Sequence, residues 1–285
     1  MIIDAHQHLW DLSAVSYPWL TPESGRIYRT FTPADAEPEL RAAGVSGSVL
    51  VQAADSIEDT EAMFSVGADH PWVKGVVGWV PLLEPDKAAA TLDRFVTNPR
   101  FKGVRHLIHD DPDPDWVVRP AVIESLRLLA ERDLSFDVVA VLPRHLEHVA
   151  TLAEEIPDLR MVIDHLAKPP IKTREWQPWA DLLARAGSYP HVYAKVSGLN
   201  TAADTESWTG EDLRPYVEHA YNVFGAERLM FGGDWPVALL AGDYQQVLRE
   251  TLVALDFCTG DEREDILHRT ATSFYRLQLD EEAAW

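Results

Sequence analysis

Cysteine is almost missing from this chain. Cys258 stands alone among 285 residues, which excludes an intrachain disulfide and a cysteine-rich zinc cluster. A reducing cytoplasm suits such a chain and is the expected location. No apolar run approaches the length that crosses a bilayer, and Asp4 and His6 interrupt the first apolar stretch, so neither a membrane span nor a signal peptide is expected. Basic residues are scarce as well: 25 Lys and Arg face 46 Asp and Glu, for a net charge of −21. A field of that sign argues against nucleic acid as a partner, and it attracts an anionic substrate only where cations gather in the site. The sequence also lacks a GxGxxG turn, a P-loop and a Gly-x-Ser-x-Gly elbow, so neither a phosphate cradle nor a serine nucleophile is supported.

What is present is an alternation. Short β-branched runs at 2–8, 47–52, 73–81, 101–107, 134–140, 160–165, 192–196 and 229–234 predict strands. Amphipathic stretches between and after them, at 32–43, 57–69, 85–97, 119–131, 144–155, 176–186, 211–224 and 245–255, predict helices, and a last helix is expected over 261–274. Pro33 after Thr32, and Pro143, mark helix starts; Gly44, Gly187 and Gly225 sit where left-handed C-terminal caps would fall. Eight such units predict one α/β domain over residues 1–285, a single (β/α)8 TIM-type barrel. The long connections 10–31, 109–118, 167–175 and 197–210 all follow strands, which marks that end of the barrel as the active face.

His6 and His8 end the first strand two residues apart, so both side chains leave on one face. The same alternation groups Met161, Ile163 and His165 on strand six and Met230, Gly232 and Asp234 on strand eight, turning Asp164 and Gly233 toward the helices. His6, His8, His165 and Asp234 can then meet at one mouth. Three neutral imidazoles and a carboxylate suit one zinc-like divalent ion. Equally, Asp234 can act as a general base beside histidines that polarise a carbonyl, without metal.

Five stretches carry a family resemblance: Ile3-Asp4-Ala5-His6-Gln7-His8-Leu9-Trp10, Phe101-Lys102-Gly103-Val104-Arg105-His106, Val162-Ile163-Asp164-His165-Leu166-Ala167-Lys168-Pro169, Lys195-Val196-Ser197-Gly198-Leu199 and Phe231-Gly232-Gly233-Asp234-Trp235-Pro236. In order and spacing the chain resembles the amidohydrolase superfamily, in particular its group of sugar-lactone and dicarboxylate-lactone hydrolases. The resemblance implies a barrel with a central constellation of His6, His8, His165 and Asp234, and Arg105 with nearby basic groups as substrate binders. It departs from the binuclear members, since strand five carries no histidine and no bridging lysine is placed on strand four. At most one divalent ion is therefore expected, zinc first and manganese second, and it can be dispensable as in other lactonases of the group.

Around that centre, Arg105, His106, Lys168 and Lys195 are candidate substrate contacts, although Lys195 can instead pair with an acid inside the barrel. Trp10 and Trp235 are candidate platforms for a sugar ring. His109, His145, His148, His191, His219 and His268 read as loop or helix-surface residues. The expected activity is hydrolysis of a sugar-derived lactone, with Asp234 as base and acid and His165 beside it. A dicarboxylate-lactone hydrolase and a metal-dependent decarboxylase are the enzymatic alternatives, and a non-catalytic binding barrel is the third. The expected partner is a small lactone, and a homo-oligomer is left open.

Overall fold

A computed structural model of the protein describes residues 1–279. Among them, eight strands form one sheet in the order of the chain, every neighbouring pair parallel. The first four are β1 (Ile3–Gln7), β2 (Gly47–Val51), β3 (Val73–Gly78) and β4 (Phe101–His106). The second four are β5 (Ser135–Val138), β6 (Arg160–Ile163), β7 (Val192–Val196) and β8 (Leu229–Phe231). Between and after them run α1 (Pro33–Ala42), α2 (Ile57–Asp69), α3 (Pro85–Phe95), α4 (Pro120–Glu131), α5 (Pro143–Glu155), α6 (Trp179–Gly187), α7 (Gly210–Phe224) and α8 (Tyr244–Ala254). This is the (β/α)8 barrel that the alternation predicts.

Local chemistry explains the helix ends. Proline opens α1, α3, α4 and α5, where its missing N–H costs nothing. Ser56 and Asp243 accept from the backbone N–H groups of Asp59 and Gln246 to cap α2 and α8. Gly44 and Gly225 take positive φ, 68° and 69°, but Gly225, with ψ 169°, is outside the left-handed helical conformation expected of a cap. Gly187 is different: it stays within the last turn of α6, where a Cβ would come within 2.2 Å of Val223. The expected terminal helix is split into α9 (Gly260–Glu264) and α10 (Thr270–Phe274) by a π-helical turn over Asp265–Arg269.

The barrel closes between β8 and β1. His8 N–H donates to the Trp235 carbonyl at 2.8 Å, and Asp234 N–H donates to the His6 carbonyl at 2.8 Å. Asp4 stitches the same seam, because its carboxylate accepts from Gly233 N–H at 2.9 Å, Tyr244 Oη–H at 2.7 Å and His6 N–H at 3.0 Å. Burial pushes its carboxyl up to about 6 even though all three donors oppose the shift.

The pairing of β1 with β2 slips in register between Asp4 and Gln7. Through this irregularity Ile3 and Ala5 join an apolar layer with Val49, Val51, Val77, Val162 and Met230. His6 and His8 still share the interior, while Gln7 turns to Ser48, whose hydroxyl donates to it at 2.6 Å. Ala271, Phe274, Tyr275 and Leu277 pack against that layer. A larger apolar shell, including Val104, Phe136, Leu126, Val149 and Leu152, fills the space between sheet and helices. Each such side chain contributes about 1.5–3 kcal/mol by leaving water. No helix among the described residues is long and apolar enough to cross a membrane.

Strand six corrects the expected alternation. Val162 packs inside the barrel, whereas Met161 and Ile163 face the helical shell. Asp164 therefore follows Val162 inward and does not face the helices. The strand ends at Ile163 rather than at His165, so the pleat rule no longer governs where His165 points.

The seam generates a stability prediction. Asp4→Ala removes one acceptor of three donors, two of them backbone groups, and is expected to lower the unfolding free energy by about 3 kcal/mol. Urea denaturation measures the loss, and a change below about 1 kcal/mol would contradict this account of closure.

Candidate active site

Beyond Ile163 the backbone turns left-handed for four residues: His165, Leu166, Ala167 and Lys168 have φ of 56°, 49°, 60° and 50°. For residues other than glycine this costs about 1–2 kcal/mol each. Several contacts hold the turn. Lys168 N–H donates to the His165 carbonyl at 2.8 Å, Trp179 Nε1–H donates to the Leu166 carbonyl at 2.7 Å, and Leu166 is fully buried. Lys168 Nζ donates to the Gly198 carbonyl at 3.0 Å and to Thr201 Oγ1 at 2.8 Å. Asp234 is also left-handed, at φ 51°. Gly198 lies against both, and a Cβ there would stand 2.6 Å from Asp234 Oδ2 and from His165 Nδ1, so only glycine fits.

The result is a buried cluster. His6 Nε2 and His8 Nε2 lie 3.1 Å apart. From Asp234 Oδ1, His8 Nε2 is 3.5 Å away, His6 Nε2 3.8 Å and His165 Nε2 4.0 Å. His165 Nδ1 is 2.9 Å from Ser197 Oγ. Burial pushes the His165 imidazole down to about 3 and holds His6 well below its ordinary value, so both rings are neutral. Burial alone would raise Asp234. His165, the His8 hydrogen bond, Lys168 and His6 together outweigh it and hold the carboxyl well below the usual range.

Beneath the cluster lies a second set of charges. Lys195 Nζ donates to Asp137 Oδ2 at 2.6 Å, pairs with Asp164 Oδ1 at 3.0 Å and reaches His6 Nδ1 at 3.1 Å. Tyr275 Oη–H donates to Asp137 Oδ2 at 2.7 Å, and Arg105 donates to Asp164 Oδ2 at 3.1 Å and to the Gln52 carbonyl at 2.7 Å. Burial raises the Asp137 carboxyl against the pull of Lys195. At Asp164 burial acts the same way, but Lys195, His6 and Arg105 overcome it and keep the group ionised.

His6, His8 and Asp234 fit one divalent ion. Two imidazole nitrogens and an ionised carboxylate oxygen converge, all buried. Their separations of 3.1, 3.5 and 3.8 Å bracket the ~3.4 Å between ligands of a tetrahedral ion with bonds of about 2.0–2.1 Å. His165 Nε2, at 4.0 Å from Asp234, stands where a further ligand could enter. His6, His165 and Asp164 form an overlapping second trio.

A cavity of about 610 Å³ opens over this centre. His8, Arg105, His165 and Asp234 form its buried end; Trp19, Ala53, Leu107, Val139, Val141 and Val237 supply apolar wall, and Lys168, Lys172, Thr173 and Thr201 supply polar wall. The structure thus brings Arg105 and Lys168 to the cavity with three of the four central residues, and places His6 directly behind them.

Four expected substrate contacts lie elsewhere. His106 stacks on Trp116 with ring centres 3.8 Å apart and accepts from Trp79 Nε1–H at 2.9 Å, because a regular strand turns it away from Arg105. Lys195 is fully buried among its carboxylates, the alternative that the sequence had left open. Trp10 and Trp235 are both buried; Trp10 donates to the Arg29 carbonyl at 2.7 Å, and each packs edge-on against Phe31. The aromatic residue that does line the cavity is Trp19, from the long first loop. His109, read from sequence as a loop residue, lines it too. His145 and His148 are buried rather than on the surface: His145 accepts from the backbone of Val141 and Leu142, and His148 Nε2 pairs with Asp115 at 2.7 Å. Asp137 and Tyr275, both buried, lie in the barrel interior, where no motif of the sequence marks them.

Fold and site together define a barrel with a His-x-His first strand and a strand-eight aspartate at one centre, a class that includes metal-dependent hydrolases. The chain belongs to the amidohydrolase family, whose model matches residues 3–277. It is 37% identical over 282 residues to an L-fucono-1,5-lactonase of Burkholderia ambifaria, covering 96% of this chain and 95% of that one. An L-fucono-1,5-lactonase of Burkholderia multivorans is 32% identical, over 86% of this chain and 85% of the relative. Among solved structures, an amidohydrolase of Burkholderia multivorans with bound zinc superposes with a TM-score of 0.88 at 29% identity, over 98% of this chain and 100% of that chain.

The relocation of His106 is testable. His106→Ala empties a stacked site and is expected to lower the unfolding free energy by about 1–2 kcal/mol. His109→Ala, at the cavity wall, is expected to change it by less than about 0.5 kcal/mol. Paired denaturation curves compare them.

Proposed function

We propose that the chain, acting as one catalytic barrel, hydrolyses a sugar-derived lactone to its aldonic acid. The observation that carries this reading is an ionised Asp234 at the buried end of a cavity of about 610 Å³, in a chain 37% identical to a sugar lactonase. The cavity has room for one monosaccharide ring. Its polar wall of Lys168, Thr173 and Thr201 suits hydroxyl groups, and Trp19, Leu107 and Val237 suit the C–H faces of the ring.

In the reaction, Asp234 takes a proton from a water whose oxygen bonds to the lactone carbonyl carbon. Arg105 and the histidines at the buried end face the oxygen that gains charge. When the ring C–O bond breaks, Asp234 returns the proton to the departing ring oxygen, leaving a hydroxyl and a carboxylic acid. A depressed pKa keeps Asp234 ionised but makes it a weak base, so the water it serves has to be acidified by neighbouring positive charge. A single divalent ion held by His6, His8 and Asp234, zinc first and manganese second, would supply that acidity and polarise the carbonyl.

One observation favours a second reading, hydrolysis of a lactone that carries carboxylates: Arg105, Lys168 and Lys172 all line the cavity. Arg105 is already tied to Asp164 and Gln52, and Lys168 to Gly198 and Thr201, which leaves Lys172 as the least committed cation and favours the neutral lactone. A pH-indicator panel of aldonolactones and dicarboxylate lactones, run with and without chelator, separates the two. Carbon dioxide release in place of net acid would point to a decarboxylase.

Asp234→Asn is expected to lower kcat at least about 100-fold with the circular dichroism spectrum unchanged. Near-normal turnover by this variant would refute the assigned role. Trp19→Ala is expected to raise KM about tenfold with kcat within about threefold, the mark of lost uniform binding; steady-state kinetics on the preferred lactone measure it.

A further inference from the structure

We propose that His109 is the specificity-determining residue of the cavity: its imidazole receives a hydroxyl of the lactone ring and thereby selects a hydroxylated, uncharged lactone. The inference rests on the reading of the chain as a sugar lactonase and names the group that recognises the sugar. Most polar groups of the cavity wall are already engaged with the protein itself. Lys168 Nζ donates to the Gly198 carbonyl and to Thr201 Oγ1, and Thr201 Oγ1–H donates to the Gly198 carbonyl at 2.9 Å. Thr173 Oγ1–H donates to the Pro170 carbonyl at 3.3 Å, and Trp19 Nε1–H to the Ala53 carbonyl at 2.6 Å. Arg105 is held by Asp164 and Gln52. The His109 ring, which lines the same cavity, makes no hydrogen bond among the described residues. Asp110 Oδ1 lies 3.6 Å from its Nε2, beyond hydrogen-bond reach. Lys172 Nζ makes none either, but an ammonium offers donors alone.

Partial burial pushes the His109 imidazole down; Asp110 opposes the shift, and Arg105, Lys168 and His145 add to it, so the ring is uncharged at neutral pH. In either tautomer such a ring has one nitrogen that donates and one that accepts, and a hydroxyl does both. A carboxylate only accepts, so the same ring offers it one bond and no countercharge. The ring is also held ready for its ligand. Leu107 N–H donates to Asp55 Oδ1 at 3.1 Å, and Ile108, only 2% exposed, donates its N–H to the His106 carbonyl at 2.8 Å. Asp110 N–H donates to the Leu107 carbonyl at 2.9 Å and closes a tight turn around His109. Backbone fixed on both sides lowers the entropy lost when the ring meets a ligand, and 34% of the side chain is open to one. His109 stands on the wall and not with Asp234 at the buried end, so it meets the part of the sugar away from the reacting carbonyl.

Steady-state kinetics on two substrates test this: the aldonolactone that the parent prefers, and δ-valerolactone, a lactone ring without hydroxyls. His109→Ala is expected to lower kcat/KM for the aldonolactone about tenfold more than for δ-valerolactone, the effect of one lost hydrogen bond. His109→Gln keeps a donor and an acceptor and is expected to recover most of that loss. An equal fall on both substrates would overturn the inference, as would a His109→Gln variant no better than alanine. Calorimetric titration with gluconolactam and galactonolactam, hydroxylated rings that resist hydrolysis, reads binding without turnover. The parent is expected to bind the better of the two about tenfold more tightly than His109→Ala does; equal affinities, or a parent that binds neither, would overturn the inference. Should the parent hydrolyse no aldonolactone, the lactonase reading falls by itself, and the lactam titration still decides the role of His109.

Discussion

The site depends on how one ammonium group is shared inside the barrel. Lys195 lies between Asp137 and Asp164, all three fully buried. Removing any one would leave an uncompensated charge in a medium that solvates it poorly, a loss of several kcal/mol. The arrangement survives because every partner is itself anchored: Tyr275 donates to Asp137, and Arg105 donates to Asp164. Tyr275 comes from the segment after α10, so the end of the described chain helps to fix an acid only two contacts away from His6. Such a network adds little net stability compared with an apolar core, but it holds His6 and Arg105 in one geometry, and the cavity is built on that geometry.

Around this network the backbone stores strain. Residues 165–168 and Asp234 take left-handed conformations, and Gly198 is the small residue that lets those two segments touch. The helical shell, the Asp4 seam and the buried Leu166 hold them there. Strained backbone at strand ends and regular backbone within the strands is the division of labour expected when rigid elements support reactive groups.

Much of this was legible in the sequence. Period-two runs alternating with amphipathic stretches specify the barrel, and the His-x-His pair specifies its first strand, because both signals depend on local geometry alone. Residues whose positions follow from that geometry, such as Arg105 against His106, are sorted by the pleat. Those set by departures from it could not. The register slip in β1 and the left-handed turn after β6 change which residues face inward, and neither leaves a composition signal: Asp164 was assigned to the wrong face for this reason. Trp19 was illegible for another. A tryptophan in a long loop carries no period, and only the folded loop shows that it reaches the cavity while Trp10 and Trp235 stay in the core.

The left-handed turn has a consequence for how this stretch of chain can change. A pleated strand offers the barrel mouth one side chain in every two residues. Here the adjacent residues Asp164 and His165 are both presented, the first in the buried network and the second at the cavity, and Lys168 joins them three positions on. That density of chemistry is bought with rigidity of length. Adding or deleting one residue would rotate every later side chain away from its partner, so this segment is a place where lineages can exchange residues but not alter spacing.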